Sequence, residues 1–110
     1  MTCLNLSNLN KICIKQQEFL TKSYAVSTGE VLTDWTCRVQ IRDPSGNFLI
    51  LDRLVITTNV ENTQFILNLS PTDTDLDVGV YVLAAELTNS VTGQTGEIVE
   101  VLEVQRQWVF

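Results

Sequence analysis

The residues spaced for chemistry are acidic. Asp73, Asp75 and Asp77 alternate as D-x-D-x-D, the opening of a calcium loop. Such a loop also needs glycine at its sixth position and a bidentate acid at its twelfth. Val78 and Ala84 stand there, so the run reads as a capped, solvated turn. Glu97, Glu100 and Glu103 are three apart. A helix would gather them for acid–base work, whereas a strand scatters them over both faces. The chain has no histidine, which removes the commonest general base and metal ligand. Serine and threonine without histidine make no familiar triad, and no glycine-rich phosphate loop is present. The expectation is a protein without catalytic residues, cofactor or metal.

Three cysteines, Cys3, Cys13 and Cys37, cannot all pair within one chain and show no C-x-x-C spacing. They read as free buried thiols of a protein made in a reducing cytosol. Asn5-Leu6-Ser7 and Asn68-Leu69-Ser70 match the glycosylation sequon. Met1–Lys15 shows no ordered signal-peptide regions, so both matches read as chance.

The other functional candidates are apolar and lie at the chain ends. Trp108, Val109 and Phe110 end the sequence without a polar tail, and large aromatics there either fold onto the core or anchor in a partner. Leu4, Leu6 and Leu9 lie in Met1–Asn10, which has no clear period and reads as an extended arm. Its leucines have no evident place in a small core, and an ordered arm needs a surface to lie on. These six residues are the expected protein interface.

The elements behind them are strands. Trp35–Asp43 alternates strictly, with Trp35, Cys37, Val39 and Ile41 on one face and Thr36, Arg38, Gln40 and Arg42 on the other. Lys11–Lys15 alternates with Ile12 and Ile14 together, and Phe19–Ser27 reads as a second strand. Pro44–Asn47 is a turn; Phe48–Leu51 and Leu54–Thr58 read as separate short strands. Gln64–Ser70 turns Phe65, Leu67 and Leu69 inward. Ser70 and Pro71 open a tight helical turn, with Asp73 at its positive end. Val80–Asn89 places Tyr81, Leu83, Ala85 and Leu87 on one face. Ser90–Thr95 turns the chain into Glu97–Val104, whose apolar residues do not hold one phase, so a bulge near Val101–Leu102 is expected. The predicted core is Trp35, Cys37, Val39, Ile41, Phe65, Leu67, Leu69, Tyr81, Leu83 and Leu87.

About seven short strands in 110 residues predict an all-β, immunoglobulin-like antiparallel sandwich over residues 11–110, with residues 1–10 as the arm. Composition supports folding: 45% hydrophobic, 18% charged, and no apolar run long enough for a membrane span. The net charge of −6 sits wholly from Asp73 onward, where seven acids face one base; six acids and six bases precede it. That skew argues against direct nucleic-acid contact and suits docking on a basic protein surface.

The motif order carries a resemblance. K-Q-Q-E-F (Lys15–Phe19) is followed by an alternating strand ending R-D-P-S-G-N (Arg42–Asn47). F-I-L-N-L (Phe65–Leu69) then leads into S-P-T-D-T-D-L-x-x-G-x-Y (Ser70–Tyr81). From about Lys11 to Val104 the chain resembles the immunoglobulin-like sandwich of tailed-bacteriophage virion proteins, notably the N-terminal domain of upper baseplate proteins. The resemblance implies a non-enzymatic virion protein, made in the host cytoplasm, whose partners are capsid subunits or tail proteins. In longer members the domain attaches a module that follows it. The sequence stops at Phe110, so the expectation is a stand-alone capsid cement or decoration protein, homo-oligomeric in the particle. A tail or baseplate adaptor and a cellular immunoglobulin-like binding module are the alternatives. This step is analogy.

Overall fold

A computed structural model describes residues 11–26 and 30–106. The arm at 1–10, and with it Leu4, Leu6 and Leu9, lies outside the described residues, as do Trp108, Val109 and Phe110.

The described residues form seven strands: β1 (Lys11–Lys15), β2 (Leu20–Tyr24), β3 (Trp35–Arg42), β4 (Leu49–Val55), β5 (Phe65–Leu69), β6 (Gly79–Asn89) and β7 (Thr95–Gln105). They make a five-stranded sheet, β1-β7-β6-β3-β4, and a two-stranded sheet, β2-β5. Among the described residues no helix is long and apolar enough to cross a membrane.

The strict alternation of β3 is realised residue by residue. Trp35, Cys37, Val39 and Ile41 are buried, and the polar set between them faces out. Phe65, Leu67 and Leu69 of β5 meet them from the second sheet, with Leu83, Ala85 and Leu87 of β6 and Leu102 and Val104 of β7. Nine of the ten predicted core residues are buried. The tenth, Tyr81, packs against the core only in part because its hydroxyl reaches back to donate to the carbonyl of Asp77 at 2.7 Å. That bond is the tyrosine corner of immunoglobulin-type sandwiches, where a cysteine ordinarily follows two residues later. Here that place is taken by Leu83, fully buried.

Turn chemistry joins the strands. Asp43 Oδ1 accepts the Phe48 amide at 3.1 Å, and Gly46 (φ 78°) closes the β3–β4 hairpin by donating to Asp43 O. Asn89 Oδ1 accepts the amides of Val91 and Thr92 before Gly93 (φ 75°) turns the chain into β7.

Several expectations need correction. β1 runs parallel to β7, so the sandwich is not wholly antiparallel. The two short strands expected across 48–58 are one strand, β4, after which Thr58 bridges to Phe65. The β6–β7 register is unbroken from Gly79↔Val104 to Thr88↔Thr95, so no bulge occurs at Val101–Leu102. β7 keeps one phase because Glu100 occupies an inward position that its polarity disguised. The bulge lies between β3 and β4, where the pairing shifts at Ile41/Arg42. Finally, Cys13 is disulfide-bonded, whereas Cys37 is a buried free thiol. The reading of three free thiols therefore fails at Cys13.

Candidate interaction surface

Most of the acids spaced for chemistry have a structural occupation. The Asp73 carboxylate accepts from Arg53 Nη2 at 2.9 Å and from the Ser70 amide at 2.9 Å, while its own amide donates to Ser70 Oγ at 3.3 Å. This reciprocal cap fixes the turn that Ser70 and Pro71 open. The Arg53 guanidinium, and then the Ser70 amide, hold the Asp73 carboxyl below its ordinary value. Asp75 accepts from Gln17 Nε2, and Asp77 offers its backbone carbonyl to Tyr81.

The same turn gathers two motifs distant in sequence. The buried Thr74 hydroxyl donates to Glu18 O at 2.6 Å, and Gln16 Nε2 donates to Leu76 O at 2.9 Å. Gln17 adopts a left-handed φ of 61° to let its amide reach Thr74 O. The K-Q-Q-E-F and S-P-T-D stretches thus form one staple closing an end of the sandwich. Their residue types are explained by folding, with no ligand required.

The three glutamates of β7 divide as strand geometry demands. Glu97 and Glu103 face out; Glu100 faces in and is buried. Glu100 Oε2 accepts from Lys22 Nζ at 2.9 Å, an ion pair that joins the two sheets. Among the described residues, Glu100 Oε1 and the Tyr24 hydroxyl are buried without a hydrogen-bond partner. Burial, and then the Glu100 charge, push the Tyr24 hydroxyl far above its ordinary value. Burial also raises the Cys37 thiol to about 11, so it is not a nucleophile near neutrality.

What remains open is the outer face of the five-stranded sheet and its β4 edge. Across that face, pairing aligns Glu97, Glu86, Arg38 and Leu54 in one row and Val99, Ala84, Gln40 and Asp52 in the next. The small Ala84 leaves a shallow hollow of about 170 Å³ among Arg38, Gln40, Glu86 and Glu97. Arg38 grips Asp52 through Nε at 2.7 Å and Nη2 at 2.5 Å. That fork holds the Asp52 carboxyl below its ordinary value and the Arg38 guanidinium above its own. Beyond it, Phe48, Ile50, Leu54 and Ile56 expose apolar side chains, Leu54 at 59% and Ile56 at 81%. A hollow of about 380 Å³ beside Leu54 and Ile56 reaches Trp35 and Phe65.

Sequence reasoning did not single out this edge. Its signal was present, because apolar residues occur at both parities in Leu49–Leu51 and Leu54–Ile56. A strand of a two-layer sandwich buries one face, so such a segment leaves apolar side chains outside. The six terminal residues expected at an interface all lie outside the described residues.

Comparison with known proteins yields a fold. No family model matches the chain, and no curated protein matches it. Among solved structures, it is similar to the immunoglobulin-like domain of mouse leukocyte-associated immunoglobulin-like receptor 1, solved as a strand-swapped dimer. That likeness has 14% identity and a TM-score of 0.52, and covers 96% of this chain and 99% of that one. With the seven strands and the tyrosine corner, it makes the chain an immunoglobulin-like β-sandwich.

Proposed function

We propose that this protein is a non-enzymatic, protein-binding structural module, and that its place is a virion, where it acts as a capsid cement or decoration protein holding neighbouring capsid subunits. The binding role rests on one observation. The described surface is an open sheet face and edge carrying exposed apolar side chains among charges of both signs, which is how protein interfaces are built. The virion role is supported by the motif order from Lys15 to Tyr81. On this reading Leu4, Leu6, Leu9, Trp108, Val109 and Phe110 supplement the sandwich by reaching onto the neighbouring subunits, and the acidic C-terminal third sets orientation.

The test is co-sedimentation with purified particles and localisation by cryo-electron microscopy. Density at every capsid lattice position is the expected result. A few copies at the tail would convert the reading to an adaptor. Deleting Met1–Asn10, or changing Trp108 and Phe110 together to Ala, is expected to leave a folded domain that no longer stays on the particle. Wild-type occupancy by both variants would move the contact to the Arg38–Arg42 side of the sheet.

A second reading is a cell-surface binding module. It is favoured by the receptor domain that the fold resembles, while the Cys13 disulfide suits virion and cell surfaces alike but not a reducing cytosol. Failure to co-purify with any particle would favour it.

A further inference from the structure

We propose that the outer face of β6 and β7 docks a basic side chain of a partner protein, its cationic head between Glu86 and Glu97 and its methylene stem along Ala84 and Val99. The inference rests on the protein-binding reading above and adds where on the sheet, and through what chemistry, contact is made. Glu86 and Glu97 stand directly opposite each other across the β6–β7 pairing, and both are exposed. Like charges so placed destabilise a sheet. The chain has no cationic side chain left to relieve them. Of its seven lysines and arginines, Lys11 is paired with Glu103, Lys22 with the inward Glu100, and Arg53 with Asp73. Arg38 is level with Glu86, but two hydrogen bonds turn its guanidinium to Asp52. Arg42 donates to Gln40 Oε1. Lys15 lies beside Gln105, about 26 Å along β7 from Glu97, and Arg106 follows Gln105 at that end. Around Arg38, three carboxylates therefore stand against one guanidinium.

The occupant follows from charge and shape. A surplus of carboxylates turns away the phosphates of nucleic acid or anionic lipid and favours a cation. Among the described residues, no group of three or more His, Cys, Asp or Glu is placed to hold a metal ion. A long-stemmed cationic side chain fits instead. Opposed residues of a sheet have Cβ atoms about 4.5–5.5 Å apart, so one head can meet both carboxylates. The hollow of about 170 Å³ over Ala84 opens between them. The next positions of the same face are aliphatic: Val99, 52% exposed, lies opposite Ala84, and Val101 opposite Val82. Lysine and arginine lay their stems on such a surface and keep the charged end at its polar margin.

The test uses the purified full chain and a lysine–valine pentapeptide (KVKVK) as probe, with its glutamate counterpart (EVEVE) as control, followed by amide NMR shifts in a titration. The lysine peptide should move the amide signals of residues 84–86 and 97–99 saturably, and less as salt rises, while the glutamate peptide should not. Glu97→Lys should bind the lysine peptide about tenfold more weakly. Its melting temperature should nevertheless rise, because the substitution sets a cation opposite Glu86. A merely structural Glu97 would lose stability when replaced. Amides unmoved by the lysine peptide, a Glu97→Lys variant that binds it like the parent, or one that melts lower would overturn the inference. No particle enters this titration, so failure of the parent to co-sediment with particles counts against the virion role alone, and failure of the peptide to bind counts against this face alone.

Discussion

β6 and β4 are both rich in aliphatic residues and meet opposite fates. Both pair with β3, but β6 has β7 on its other side and β4 has no strand there among the described residues. In β6, Leu83, Ala85 and Leu87 share one parity and are buried beneath the second sheet. At the end of β4, Leu54 faces out, as does Ile56 just beyond the strand, while Val55 between them is buried. The two-stranded sheet is too narrow to cover all five strands of its partner. Burial is therefore decided by position across the sheet as much as by side-chain chemistry. An apolar residue at the margin is left exposed.

The contrast can be broken most sharply at Leu83, which is 0% exposed. Leu83→Ala should cost about 2–5 kcal/mol in denaturant unfolding, whereas Leu54→Ala should change monomer stability by no more than about 0.5 kcal/mol. Equal losses would erase the distinction. Next in size is Lys22→Met, which strands the buried Glu100 carboxylate without its cation. About 3 kcal/mol is expected, the low end for a broken buried pair because Lys22 itself is partly exposed. A neutral result would show that Glu100 finds water in the native state.

Asp73→Ala should cost about 1–2 kcal/mol through loss of the cap. Because the folded Asp73 carboxyl titrates below its ordinary 3.8, its contribution is present above that value and is lost as pH falls through the lower folded value. Unfolding curves of parent and variant should therefore converge in acid. A smaller loss is expected of Tyr81→Phe, about 0.5–1.5 kcal/mol for the tyrosine-corner hydrogen bond. A value near zero would mean that water replaces the Asp77 carbonyl as partner.

The sequence made β3 legible because its polar and apolar residues alternate without exception, and the PSGN turn after it was equally plain. The Ser70–Asp73 cap was readable for the same reason: local hydrogen bonding needs only neighbouring residues. β7 was misread because Glu100 holds an inward position, and a charge in a core position is explained only by Lys22, 78 residues away. The apolar margin of β4 was missed because alternation fails where both parities are aliphatic, so strand order decides the exposed side. The Cys13 disulfide was not readable from spacing, which says nothing of which sulfurs meet.

The parallel pairing of β1 with β7 has a mechanical consequence. Lys11 lies beside Val101 and Lys15 beside Gln105. Tension applied ahead of Lys11 and beyond Gln105 drags these neighbours in opposite directions along their own length. The hydrogen bonds between them are then loaded together in shear, instead of parting one by one as at the open end of a hairpin. Rupture under load is set by the unfolding barrier. A short terminal strand held this way acts as a seat belt, slack at rest and engaged when the two ends of the domain are pulled apart.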